Sequence, residues 1–452
     1  MSQATGNPWA LTWLDRPCAA LVGPYRGSLH LPADPGLLAT SPELPSPIGT
    51  RSAGFVSDDD AERLLDALAE VPRVPWVGTR WRQNVGLTRY NRVEGSAIGA
   101  RFNATTGALH VGGAPLDLSA TAFVGLADRD LKARLTAGAG LRSARVTLGA
   151  FRELRAFEPL GRPFGFGNSF NAALFGRDDG EYFRATGFDL KLLPADAARP
   201  DRRLRLYAER HAPVERATRF AVLPWAQGDQ AFRSNLGADP IDEVGVELGW
   251  SPWWGAGVGA SGFGLDLHAQ GAATRWRGSD AVPEGPAPDV AVCGIGGGCV
   301  IDSRPTGAYA RARLTLRGAL SLSEDWKLGL EGAAGHGWGL QDSGQRALPV
   351  QRQWVLGGPA TLRGYAGTAA IGTSMARGRI ELGRGSEGAA LMLFGDAGWA
   401  GDAASFAGDD VLWAVGIGGS LLEGLIRADL SRGLNSVPAR QWRLDLYVDG
   451  LF

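Results

Sequence analysis

From about residue 80 to its end the chain alternates polar with apolar residues, the two-residue period of a β-strand with two unlike faces. In 305–321, Tyr309, Arg311, Arg313, Thr315 and Arg317 alternate with Ala310, Ala312, Leu314, Leu316 and Gly318. In 371–382, Arg377, Arg379 and Glu381 alternate with Ala376, Gly378, Ile380 and Leu382. In 425–430, Arg427 and Asp429 alternate with Ile426, Ala428 and Leu430. The last residues put Trp442, Leu444, Leu446, Val448 and Phe452 on one face against Arg443, Asp445, Tyr447 and Asp449.

Strands are predicted near 93–104, 117–126, 130–140, 142–156, 179–193, 200–211, 242–252 and 260–272. Seven more follow near 305–321, 325–339, 371–383, 389–400, 411–421, 424–432 and 441–452. A sixteenth, near 80–90 from Trp81 to Tyr90, restores an even count. These runs reach about ten residues, against roughly five or six for a soluble strand. Their apolar face is often small (Ala, Gly), and their polar face is rich in Arg and acid. A lipid-facing exterior and a wide polar lumen tolerate that combination, whereas a sandwich core does not. After residue 156 the connections alternate long and short: 157–178, 212–241, 273–304 and 340–370 against 194–199, 253–259, 322–324 and 384–388. Long loops on one side of a membrane and tight turns on the other produce this rhythm. The fold class is therefore all-β, a transmembrane antiparallel β-barrel of sixteen strands occupying 80–452 and placed in a bacterial outer membrane.

Residues 1–79 read differently. Pro24, Pro32, Pro35, Pro42, Pro45 and Pro47 leave them irregular, apart from one short helix at 58–71, where Asp58, Asp59 and Asp60 supply an N-cap and Pro72 stops the run. No secretory signal peptide is legible at the start.

Composition trims the alternatives. With 46 basic against 47 acidic side chains there is no electrostatic footprint for nucleic acid. A 44% apolar share rules out disorder, and no apolar run of about 18 residues offers a transmembrane helix. The 66 glycines lack a collagen period. Cys293 and Cys299 lie in the long 273–304 connection, outside the cell in this topology, which favours a loop disulfide; zinc is the second alternative, disfavoured because no histidine is close in sequence, and no metal site is expected. The Gly-Ile-Gly-Gly-Gly tract between them is a loop, since no βα unit surrounds it. The five histidines are scattered. His268 shares an inward face with Asp266 but has no recognisable serine partner, so no catalytic residues and no cofactor are expected. Trp250, Trp253, Trp254, Trp338 and Trp442 fall near strand ends, as in an interfacial aromatic girdle.

Late in the 340–370 connection stands Leu356-Gly357-Gly358-Pro359-Ala360-Thr361-Leu362-Arg363-Gly364-Tyr365, and two strands later Phe394-Gly395-Asp396-Ala397-Gly398. With the terminal Phe452, this ordered set resembles the BamA/TamA superfamily of outer-membrane assembly and secretion barrels, the bacterial surface antigen family. The loop motif matches Leu362 to Tyr365 and the strand motif matches Phe394 to Gly398. The resemblance covers roughly 325–452; a weaker one begins at Tyr90-Asn91-Arg92-Val93-Glu94-Gly95. It implies that the 340–370 loop folds into the lumen, that Arg363 meets Asp396, and that Trp442, Leu444, Leu446, Val448 and Phe452 form a C-terminal signal read by assembly machinery. Independently of any relative, Asp396 shares its face with Phe394 and Gly398, opposite a lipid face of Leu391, Leu393, Ala397 and Trp399. An inward carboxylate calls for a cation, and arginine clamps carboxylates in bidentate fashion. Glu381, inward on the adjacent strand, is a second acceptor, while Gly364 and Gly398 leave room for loop and wall to approach.

Three functions follow from this reading. The first is a protein-insertion or translocation barrel with a client or secreted protein as partner. The second is a passive pore or structural surface antigen. The third, a barrel lipid hydrolase, lacks its serine. The superfamily's POTRA modules, each with a β-α-α-β-β pattern, have no counterpart in residues 1–80, which suggests a fragment of a longer precursor.

Overall fold

A computed structural model of the chain describes residues 77–79 and 88–448, apart from 142–143, 159–162, 195–201, 224–231, 256–260, 279–304, 306, 324, 341–346, 386–388, 422–425 and 436–441. The helix expected at 58–71, the Cys293–Cys299 pair and Phe452 lie outside the described residues.

The period-two pattern becomes one antiparallel sheet rolled into a barrel. We number its longer strands in chain order, β1 to β16, with Thr88–Asn91 as β1, paired with β2 (Gly95–Val111); a short strand Val77–Thr79 also pairs with β2, and a short strand Trp253–Gly255 pairs with Gly262–Gly264. There follow β3 (Ala114–Gly125), β4 (Leu131–Gly140), β5 (Ala144–Ala156), β6 (Tyr182–Pro194), β7 (Arg202–Pro213) and β8 (Ile241–Trp250). The second half comprises β9 (Gly262–Trp276), β10 (Ala308–Ser321), β11 (Trp326–Gly339), β12 (Ser374–Gly385), β13 (Ala389–Gly401), β14 (Leu412–Leu421), β15 (Ile426–Gly433) and β16 (Arg443–Val448). Each strand pairs with the next; Gly112 and Gly113, at φ +60° and +85°, make the tight β2–β3 turn with the left-handed backbone such hairpins need.

The alternation decides what faces where. On β10, Tyr309, Arg311, Arg313 and Thr315 are buried inward, while Leu314, Leu316 and Leu320 are exposed outward. The same inversion runs round the sheet: Phe188, Val244, Ile380, Leu391, Leu393 and Ile417 lie bare on the outside, Leu391 at 74% exposure. Glu209, Glu243, Glu331, Glu381, Asp396 and Asp429 are buried within. On β16, Trp442 beside the strand and Leu444 on it are exposed, whereas Asp445 is buried. Trp399 stands opposite the exposed Ala376 but is itself covered, its ring edge-on to Phe406 at 5.0 Å. Among the described residues no helix is long and apolar enough to cross a membrane.

Two boundaries depart from the sequence pattern. Ala370–Gly372 belongs to a small hairpin with Trp354–Leu356 inside the long connection, so β12 starts at Ser374. The 157–178 connection, read as loop, contains helix α1 (Phe166–Phe175). Gly167, Asn168, Ser169 and Asn171 are weak helix formers and no side chain caps its start, so local signals were poor; contacts with distant strands hold it.

Candidate functional site: a plug of interlocked loops

The long connection between β11 and β12 turns back into the lumen, and its bend is built on two glycines late in its length. Gly357 (φ +135°) and Gly358 (φ +75°) take backbone conformations other residues resist, and a Cβ on Gly357 would lie 2.0 Å from the Ala366 carbonyl oxygen. Thr361 Oγ1 accepts from the Gly357 amide at 2.9 Å and donates to its carbonyl at 2.7 Å, tightening the bend. Leu356, Leu362 and Tyr365 then bury themselves with Trp354, Met375, Ala400, Leu412 and Ala414.

Arg363, 1% exposed, stands at the centre. Its Nε donates to Asp396 Oδ2 at 2.9 Å and its Nη2 to Oδ1 at 2.6 Å, the bidentate fork; its backbone N–H adds a third bond to Asp396 at 3.1 Å. Nη1 reaches Glu381, and Asp429 at 3.4 Å, and the guanidinium lies 3.5 Å from the Phe394 ring centroid. Arg379 also holds Asp396 (3.1 Å), and Arg427 holds Glu381 (2.8 Å) and Asp429 (2.7 Å). Three guanidiniums thus face three carboxylates, a neutral set that makes burial tolerable. The structure brings together all the expected loop and wall residues and adds Asp429, Arg379 and Arg427.

The glycines play unequal parts. Gly364, at φ +78°, lies against β15: a Cβ there would meet the Arg432 carbonyl carbon and the Gly433 nitrogen at 2.8 Å. At Gly398 the approach comes from side chains rather than from loop backbone, with Leu356 and Leu362 at 3.2 and 3.4 Å from a built Cβ. We expect Gly364→Ala to lift the loop off β15 and lower the thermal unfolding midpoint, whereas Gly398→Ala, whose neighbours are flexible leucine ends, should do far less; equal shifts would show that the Gly364 contact is not needed.

Two further arginine nodes tie the long connections to the wall. Arg352, in the same loop, donates through Nη2 to Glu209 at 2.8 Å and to Glu243 at 2.6 Å. His211 Nε2 lies 2.9 Å from Glu209, and its Nδ1 accepts from Gln351 at 2.9 Å. Glu209, His211 and Glu243 place one ligand atom each within 4.8 Å of one another, a spacing suited to a metal ion, but the Arg352 guanidinium already bonds both carboxylates. Glu209 and His211 share a face of a predicted strand, a signal the sequence held; Arg352, in irregular chain, offered none.

The third node is the β1–β2 turn. Asn91 Oδ1 accepts from the amides of Val93 (3.0 Å) and Glu94 (2.8 Å), and Gly95 adopts φ +64°. This aims the fully buried Arg92 at Glu181 (2.7 Å) and at the Asp178 carbonyl (2.7 Å). Glu181 also binds Arg233, the Leu236 amide (2.8 Å) and Thr368 Oγ1 (2.6 Å), so it ties together connections 157–181, 214–240 and 340–373. Asp179 joins the Gly367 amide (2.7 Å) to Arg443 of β16. Burial alone would raise the Asp179 carboxyl; Arg443, the Gly367 amide and Arg233 outweigh it and hold the group below its ordinary value. The Tyr90–Gly95 hexapeptide was the legible trace of this node.

The Ser–His contact among the described residues is His336 Nδ1 to Ser374 Oγ, 2.6 Å, with Ser374 only 5% exposed. No described carboxylate hydrogen-bonds that ring, and no described serine does so to His268.

No protein-family model matches the sequence, and no curated protein matches it. Among solved structures it is similar to BamA from Haemophilus ducreyi lacking POTRA domains 1–3, at 12% identity over 86% of this chain and 77% of that one, TM-score 0.45. It is also similar to CdiB from Acinetobacter baumannii (11%, 80% and 58%, TM-score 0.39) and to OccK10 (OpdN) from Pseudomonas aeruginosa (12%, 83% and 98%, TM-score 0.35). On its own geometry, the chain is an antiparallel β-barrel with long connections latched inside it.

Proposed function

We propose that this chain is an outer-membrane barrel of the protein-insertion or translocation kind, held shut by the loop that Arg363 latches to Asp396. Membrane placement is supported by the inverted pattern: large apolar side chains stand outside and paired charges inside, an arrangement lipid favours and water does not. The observation that carries the reading is the burial of Arg363 among carboxylates from three wall strands, Glu381 on β12, Asp396 on β13 and Asp429 on β15. For a barrel that must open for a client, such a latch holds a closed state that can be traded for another set of contacts. The loop and strand motifs around Arg363 and Asp396 point the same way. The partners in this reading are outer-membrane lipid, an extended client segment presented to the β1–β16 seam, and assembly machinery that reads Trp442, Leu444 and Leu446.

Planar-bilayer recording tests it. The full chain should show low conductance with brief openings, and deletion of 347–369 should give a steady conductance several-fold larger. A wide, permanently open wild-type channel would favour the passive-pore reading.

A further inference from the structure

The sheet's two edges, β1 and β16, meet helix α1. Among the described residues no strand register joins Thr88–Asn91 to Arg443–Val448, and both lie beside α1. The edge groups are occupied nonetheless. Asn171 Nδ2 donates to the Leu446 carbonyl at 2.7 Å, and Asn171 Oδ1 accepts from the Leu446 amide at 3.3 Å. Arg177 Nη1 donates to the Leu444 carbonyl at 2.6 Å, and Ser169 Oγ accepts from the Tyr90 amide at 3.1 Å.

The Asn171 bonds have a specific form. In an antiparallel ladder, one residue exchanges both its N–H and its C=O with a single residue opposite. A primary amide carries the same donor and acceptor. Asn171, 4% exposed and steadied by a bond from Nδ2 to the Gly167 carbonyl (3.0 Å), therefore satisfies Leu446 as a neighbouring strand would. An uncapped edge invites pairing with another chain, and capping by a helix is one way to prevent it.

We propose that α1 is a built-in competitor for the seam: Asn171, Arg177 and Ser169 mask the pairing edges of β16 and β1, and an extended strand of alternating polarity gains them only when α1 leaves. The nature of that strand rests on the client-barrel reading above; the masking rests on the contacts alone. The turn after α1 links it to the plug, since Asp179 holds both Gly367 of the inward loop and Arg443 of β16. Loosening the plug thus frees the mask.

The test uses the full chain in liposomes, with Cys18, Cys293 and Cys299 replaced by serine, and a biotinylated peptide of residues 443–452 as the probe strand. Benzoylphenylalanine at position 444 captures bound peptide. Asn171→Leu keeps the side chain's size and removes both edge bonds, and their loss predicts capture raised by at least about tenfold over the parent. An Asn171→Cys, Leu446→Cys pair should crosslink on oxidation and abolish capture, and reduction should restore it. A retained heat-modifiable gel shift reports an intact barrel in each variant. Equal capture by the parent and Asn171→Leu overturns the masking, and failure of the pair to crosslink overturns the placement of α1 at the seam. Capture absent from both, while deletion of 347–369 still opens the pore, also overturns this inference and leaves the plugged-barrel reading standing.

Discussion

Arg363→Ala is expected to release the inward loop while leaving the barrel wall assembled. Removing the guanidinium leaves Glu381, Asp396 and Asp429 with only Arg379 and Arg427 between them, in a region almost sealed from solvent. Breaking a buried charge network by deleting one partner costs on the order of 3–5 kcal/mol. The ladder hydrogen bonds of β12 to β15 do not depend on Arg363, so the cost falls on the loop, which can leave and admit water to the carboxylates. In bilayers the variant should show longer and larger openings, and limited proteolysis should cut within 347–369 where the parent resists. Arg363→Lys should fall between the two, because an ammonium keeps the charge but cannot span both oxygens of Asp396 while also reaching Glu381. Parent-like conductance and protease resistance in Arg363→Ala would show that the loop is held by its apolar contacts alone.

Arg352→Ala should be comparably costly, and it carries a chemical signature. Glu209 would keep Arg155 (2.6 Å) and Arg205 (2.8 Å), but Glu243 would keep only the hydroxyls of Tyr207 (2.8 Å) and Tyr309 (3.0 Å) and the Gln270 amide. A carboxylate 1% exposed with no cation beside it is the larger part of an expected loss of roughly 3–5 kcal/mol. Two carboxylates and an imidazole then surround a vacated centre, a donor set that suits zinc. Micromolar zinc should therefore raise the thermal unfolding midpoint of Arg352→Ala and leave the parent unchanged, because in the parent the arginine holds the position. A variant blind to zinc would mean that Glu209, His211 and Glu243 do not converge once Arg352 is gone.

These two arginines also mark how far the sequence reached. Arg363 and Asp396 were legible because each sits in a short motif and because the period-two pattern already aimed Asp396 inward. Arg352 was not, although its partners Glu209 and His211 lie on a strand whose faces were readable. Its own segment is irregular, and nothing local says which wall it will touch. Arg92 is intermediate: its turn has a recognisable hexapeptide, but its partners Asp178 and Glu181 lie in another connection. Helix α1 was missed outright, since Gly167, Asn168, Ser169 and Asn171 argue against a helix when read alone, and Asn171 finds its use on Leu446, 275 positions away.

The sequence by itself determined most of the strands, the order in which they pair and the face that most of their residues present, because a two-residue period is local and an antiparallel barrel adds its strands in chain order. It also determined that most of the charges on β10, β12, β13 and β15 face inward, because there they alternate with apolar residues. The tertiary structure alone decided which other connections join the 340–370 loop, how Glu181 ties three of them together, and what seals the edges of β1 and β16. Those outcomes depend on carboxylates, amides and guanidiniums meeting across dozens to hundreds of residues, and such pairings leave no periodic trace: the same arginine is a solvated loop residue or the centre of a buried cluster according to where the barrel wall happens to bring its partners.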